Sequence, residues 1–122
     1  MSKEDLKKKI IEVLKTVYDP EIPINVYDLG LIYKIDIDKE GVVTIDMTLT
    51  AIGCPLAAAL TRLVGEVVKE VPGVKDVVVN LVFDPPWTPL RMTPEGREKF
   101  KSIYGYDLVE EWQKRVGEKK TD

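Results

Sequence analysis

The chain has 122 residues, one cysteine, no histidine, and 18 basic against 21 acidic side chains, for a net charge of -3. This supports one domain with a modest core and no broad attraction to nucleic acid. It excludes an internal disulfide, Ser-His or Cys-His catalysis, and a conventional zinc site built within one chain.

No apolar run follows the charged start, and no stretch approaches the roughly 18 apolar residues of a membrane span, so a cytoplasmic protein with no membrane partner is expected. Ser2 is set to cap a helix with Glu4 and Asp5 in its first turn. Leu6, Ile10, Val13, Leu14 and Val17 fall on one stripe, Lys7 to Lys9 form a solvated face, and the helix ends before Asp19-Pro20.

Residues 19–30 read DPEIPINVYDLG. That connection is too long and too apolar for a simple turn. Ile22, Ile24, Val26 and Leu29 pin it to the domain, which fixes the carboxylates Asp19, Glu21 and Asp28. Two readings of those carboxylates stand: each caps a local turn, or one or more faces the cysteine as ligand, proton acceptor or hydrogen-bond partner.

Residues 31–38 alternate, with Leu31, Tyr33, Ile35 and Ile37 on one face, and Lys39-Glu40-Gly41 turns the chain back into 42–50 as a hairpin. In the second strand Val43, Ile45, Met47 and Leu49 alternate with Thr44, Asp46, Thr48 and Thr50, which gathers hydroxyls on one face. Gly53 then bends the chain and Pro55 suits a first helical position, so Cys54 falls at or beside a helix N-cap. Unpaired N–H groups and the positive dipole end favour a thiolate there. The alternative is a cysteine that packs as a small apolar group.

The following helix places Leu56, Leu60, Leu63, Val64, Val67 and Val71 on one side and ends at Pro72-Gly73. Residues 74–83 form a third strand with Val77, Val79, Leu81 and Phe83 on one face. The segment 84–89, DPPWTP, cannot continue a ladder because three of its residues are proline. Trp87 either plugs the edge of the core or, with Pro86, offers a surface to a partner. Thr93-Pro94-Glu95 opens another helix with Phe100, Ile103 and Tyr104, and Asp107 caps a last one with Leu108, Trp112 and Val116 four apart. That tail either folds back on the domain or meets a second subunit. The expected fold is a two-layer α+β domain with two helices over one face of a small mixed sheet.

Three stretches together are similar to the MIP18-type (DUF59) family of iron-sulfur cluster assembly proteins, which includes the bacterial SufT and PaaD proteins. They are DPEIPINVYDLGLIY at 19–33, MTLTAIGCP at 47–55, and VNLVFDPPWTPLRMTPEGREKF at 79–100. The resemblance implies a helix, hairpin, helix, strand core with a mixed three-stranded sheet, like the C-terminal domain of NifU-type scaffolds, plus C-terminal helices. It implies a family domain over 1–104 and does not reach the helical tail read from the residues over 105–122. The family's reactive cysteine falls on Cys54, its acidic loop on Asp19, Glu21 and Asp28, and the threonine before the cysteine on Thr50. Members often carry a second hydroxyl directly after that threonine, where this chain has Ala51.

The implied role is iron-sulfur protein maturation without catalysis, by a transient carrier of iron or a cluster held through Cys54, or by an adaptor that targets recipient apoproteins to the assembly machinery. A stable cluster usually takes four thiolates, and even a homodimer of this chain would supply two, so any hold on it is loose. The competing readings are an interaction adaptor with no metal role, a PaaD-like accessory that matures a ring-oxidising oxygenase, and a thiol-dependent enzyme. The last lacks an imidazole base.

Overall fold

Asp38 closes the hairpin: its Oδ1 accepts from the backbone N–H of Glu40 at 2.8 Å and of Val42 at 2.9 Å. Gly41 supplies the φ of 89° that the turn requires. The computed structural model describes residues 2–19, 22–50 and 57–120. Its elements are α1 (Lys3–Leu14), β1 (Ile32–Ile37), β2 (Val42–Met47), α2 (Ala57–Lys69), β3 (Asp76–Leu81), a 3-10 turn (Pro89–Arg91), α3 (Pro94–Tyr104) and α4 (Leu108–Lys120).

The sheet order is β1-β2-β3, antiparallel between the first pair and parallel between the second. The central strand carries the deepest side chains, since Val43, Ile45 and Met47 are fully buried. Helix α2 packs on β3, and α1 packs on β1 and on α2. Ile10 and Leu14 from α1 and Val64 and Val68 from α2 complete this core at zero exposure. These elements form the mixed three-stranded α+β domain expected from the sequence.

Four local expectations change. Helix α1 stops at Leu14, because Thr16 and Val17 donate to Val13 and Leu14 in tighter i to i−3 bonds. Val17 is still buried, but it now lies beside the bridge between Tyr18 and Asn25 and accepts from the Val26 N–H at 2.8 Å. On α2 the buried row is Leu60, Val64 and Val68, with Val71 just beyond the helix, while Leu63 sits at the margin of the stripe with 43% exposure. Leu56 lies outside the described residues.

In β1 a register irregularity between Ile32 and Lys34 interrupts the alternation at Tyr33. On β3, Val77 and Val79 are half-buried, but Leu81 and Phe83 are exposed, since among the described residues the strand is an edge with no neighbour beyond it.

The C-terminal helices fold back onto the domain. Thr93 caps α3, accepting from the Gly96 N–H at 3.1 Å, and Phe100 is buried. Asp107 caps α4 and holds Arg97 at 2.7 Å, and Val109 joins the core. The hydrogen bonds from Arg97 lead the effects that keep the Asp107 carboxyl below its ordinary value. Among the described residues no helix is long and apolar enough to cross a membrane.

Candidate functional site

The carboxyl ends of the parallel strands β2 and β3 lie side by side, with Met47 opposite Leu81 and the Val82 N–H donating to Met47 O at 2.8 Å. Antiparallel β1 begins at the same end, where the Thr48 N–H donates to Leu31 O at 2.8 Å. Three connections therefore meet there: the segment leading into β1 through Leu31, the residues 48–50 that leave β2, and 82–91 leaving β3. Such an end of a parallel pair is where α/β sheets open a crevice. Cys54 belongs to the second connection by sequence, but it and Glu21 lie outside the described residues.

The acidic loop is held from within. Asp19 is 7% exposed, its Oδ1 accepts from the Ile22 N–H at 3.0 Å, and its own N–H donates to Ile24 O at 3.1 Å. Ile24, Val26 and Leu29 are fully buried, and Ile22 packs partly against them. Asn25 and Asp28 bind reciprocally, the Asp28 N–H to Asn25 Oδ1 at 2.8 Å and Asn25 Nδ2 to Asp28 Oδ2 at 2.7 Å.

Asp28 also reaches across the fold. Its Oδ1 accepts from the Thr93 hydroxyl at 2.8 Å, its backbone carbonyl from the Thr93 N–H at 2.9 Å, and Lys99 Nζ lies 3.6 Å from Oδ2. Burial alone would raise this carboxyl, yet the hydrogen bonds from Asn25 and Thr93 and the charges of Lys99 and Lys15 outweigh it and hold the group below its ordinary value. Asp28 is thus a buried, ionised clamp between the acidic loop and α3. Gly96 allows the close approach, because a Cβ there would fall on the Asp28 carbonyl.

Trp87 plugs the edge. Its half-buried indole packs against the core and donates from Nε1 to Leu29 O at 2.7 Å, which ties the third connection to the first. Tyr33 makes a parallel tie, donating from its hydroxyl to Pro85 O at 2.8 Å, with the Arg91 guanidinium 4.3 Å above its ring. Pro86 is exposed between these anchors. Gly30 fits closely under Arg91, whose carbonyl a Cβ would overlap.

At the exit of β2, Thr50 is half-buried. Thr48 is 1% exposed, and its Oγ1 has no hydrogen-bond partner among the described residues. Such a hydroxyl costs about 1–3 kcal/mol to leave unmade. The alternation of Thr44, Thr48 and Thr50 through and beyond β2 was the available signal for it. Among the described residues no three Asp or Glu side chains come together in a way that would hold a metal ion.

The profile of a family described as "Iron-sulfur cluster assembly protein" matches residues 7–81. The chain is 49% identical over 90 residues to the Fe-S protein maturation auxiliary factor of Porphyromonas gingivalis, covering 74% of this chain and 86% of that protein. It is 49% identical over 72 residues to the Fe-S protein maturation auxiliary factor SufT of Staphylococcus aureus, covering 59% and 82%. Its fold is similar to that of the DUF59 domain of unknown function from Bacillus anthracis, with a TM-score of 0.74 and 35% identity over 79% of this chain and 92% of that one.

Proposed function

The chain belongs to the family of iron-sulfur cluster assembly proteins, and from that premise we propose that it serves maturation by carrying iron or a cluster transiently, with Cys54 as the labile ligand. The observation that supports this reading is that the acidic loop and the connection after β3, both anchored by part-buried polar contacts, meet at the carboxyl ends of β2 and β3, where β2 leads by sequence toward the single thiol.

One thiol and no histidine make a poor permanent cluster site. They suit a protein that must release its cargo. Asp19, Glu21 and Thr50 shape the surroundings of the sulfur. Thr48, buried and without a hydrogen-bond partner for its hydroxyl among the described residues, is available to donate to a group that loads there. Asp28 acts at one remove, by fixing the loop that carries Asp19 and Glu21. The partners are the assembly machinery and recipient apoproteins, and the role is not catalytic.

The adaptor reading has its own support in exposed Pro86, Leu90, Tyr104 and Tyr106 on the third connection and near α3. The two roles separate in an anaerobic transfer assay from a loaded scaffold to an apo-recipient. A carrier accelerates transfer and loses that acceleration in Cys54→Ala. Acceleration that survives Cys54→Ala but is lost in Pro86→Ala with Leu90→Ala identifies an adaptor.

A further inference from the structure

Among the described residues the outer edge of β1 is unpaired, since β1 has a neighbour only on its β2 side. In an antiparallel ladder alternate residues turn their backbone groups toward the partner and the others turn them away. Leu31 O accepts from Thr48, and the Asp38 N–H donates to Val42 O at 3.0 Å. Beyond the irregularity between Ile32 and Lys34, which switches the parity set at Leu31, Lys34 lies opposite Asp46 and Asp36 opposite Thr44, so Lys34, Asp36 and Asp38 face β2. The N–H and C=O groups of Ile35 and Ile37 therefore face outward, and no backbone bond from another element reaches them among the described residues.

A groove follows this edge between β1 and α1. Its first part, about 290 Å³, is lined by Lys7 and Ile11 of α1, by Tyr27, and by residues 32–35. Its second, about 220 Å³, continues past Lys3 and Glu4 along residues 35–37 and shares Lys7 and Ile35 with the first. Exposed Lys34 and half-buried Ile35 both line it, so it runs along the strand's edge and not beneath one face. The dimensions and the open ladder suit a single extended strand.

The first part of the groove is cationic, against the charge of the whole chain, whereas in the second Lys3 and Lys7 are balanced by Glu4 and Asp36. Lys7 and Lys34 line its first part without a carboxylate. Lys15 Nζ lies 5.4 Å from the Tyr27 ring centroid and the Arg91 guanidinium 4.3 Å from that of Tyr33, so two further cations flank it.

We propose that this groove binds an extended acidic segment of a partner protein, which adds as a strand to β1 with its backbone paired to Ile35 and Ile37 and its carboxylates at Lys7 and Lys34. A single-stranded nucleic acid would meet the cations and tyrosines, but a phosphodiester backbone has no alternating N–H and C=O groups to satisfy the open ladder. The site is separate from the proposed cargo chemistry and holds whether or not Cys54 is a ligand.

The test titrates the isotope-labelled full chain with a capped peptide of alternating glutamate and valine and follows backbone amide shifts by NMR. The expected shifts concentrate on residues 32–37 and on Lys7 and Ile11. Binding should weaken about tenfold or more in Lys7→Glu with Lys34→Glu, as reversed rim charges imply. It should be lost for the same peptide N-methylated at alternate amides, which leaves the protein untouched. Equal binding of the methylated peptide, shifts that map elsewhere, or none at millimolar peptide would overturn the proposal. So would tighter binding of single-stranded DNA at these residues, or concentration-dependent β1 shifts without peptide, which would assign the edge to a second copy.

Discussion

The carboxylate of Asp28 accepts a 2.8 Å hydrogen bond from the hydroxyl of Thr93, 65 positions further along the chain. Through it the loop that carries Asp19 and Asp28 is fixed to the N-cap of α3, and the loop's shape depends on a residue outside its own sequence. Replacing Asp28 by Ala leaves Asn25 and Thr93 without their buried acceptor and should cost about 2–3 kcal/mol. Chemical denaturation measures this. A loss below about 0.5 kcal/mol, typical of a neutral surface site, would show that the clamp contributes nothing.

The same carboxylate sets a pH dependence. Burial pushes its pKa up, but the bonds from Asn25 and Thr93 and the nearby lysines bring the folded value below the ordinary 3.8. A depressed folded value means that the unfolded chain takes up the proton first as pH falls. The charge on Asp28 thus contributes stability that is complete above about pH 4 and is lost as pH drops through the folded value. The difference in Tm between the wild type and Asp28→Asn should be flat from about pH 7 to 5 and shrink below about 4. A gap that widens on acidification would contradict this sign.

Gly96 tests the close approach of α3. An alanine in a helix is normally favoured over glycine by up to about 1 kcal/mol. Here the added Cβ would fall on the Asp28 carbonyl, and overpacking of that kind costs about 1–3 kcal/mol. Gly96→Ala should therefore destabilise the chain. A raised Tm would mean that α3 shifts without cost.

Thr48 separates stability from function. Its hydroxyl is buried and unpaired among the described residues, so Thr48→Val, which keeps the shape, should stabilise the fold by about 1 kcal/mol. If the hydroxyl serves the loaded state, the same variant should retain less iron after anaerobic loading. Reduced stability in Thr48→Val would show that the hydroxyl already has a structural partner.

The elements legible in the sequence were those written by neighbouring residues. Ser2, Thr93 and Asp107 cap their helices as their positions imply, and Lys39-Glu40-Gly41 turns the hairpin. Each feature needs only a few adjacent side chains. The bulge at Tyr33 was not legible, because it answers to Pro85 and Arg91 on a distant loop. The exposure of Leu81 and Phe83 was hidden for a related reason: a strand's own pattern does not state whether it lies at an edge.

The acidic loop was half legible. Its buried anchors Ile24, Val26 and Leu29 follow from apolarity alone, and the turn-capping reading of Asp19 has a direct counterpart in its bond to the Ile22 N–H. The tertiary role of Asp28 required Thr93 and Lys99 to be brought beside it. Trp87 reads the same way: its contact with the core edge required Leu29, 58 positions away, whose carbonyl accepts from the indole.

Iron and sulfide retained after anaerobic loading and desalting, compared between the wild type and Cys54→Ala, test the proposed carrier role most directly. The wild type should hold both, with visible thiolate-to-iron absorbance that fades when a chelator or an apo-recipient is added, and Cys54→Ala should hold neither. Equal iron, sulfide and absorbance in the two proteins would contradict a role for Cys54 as the labile ligand.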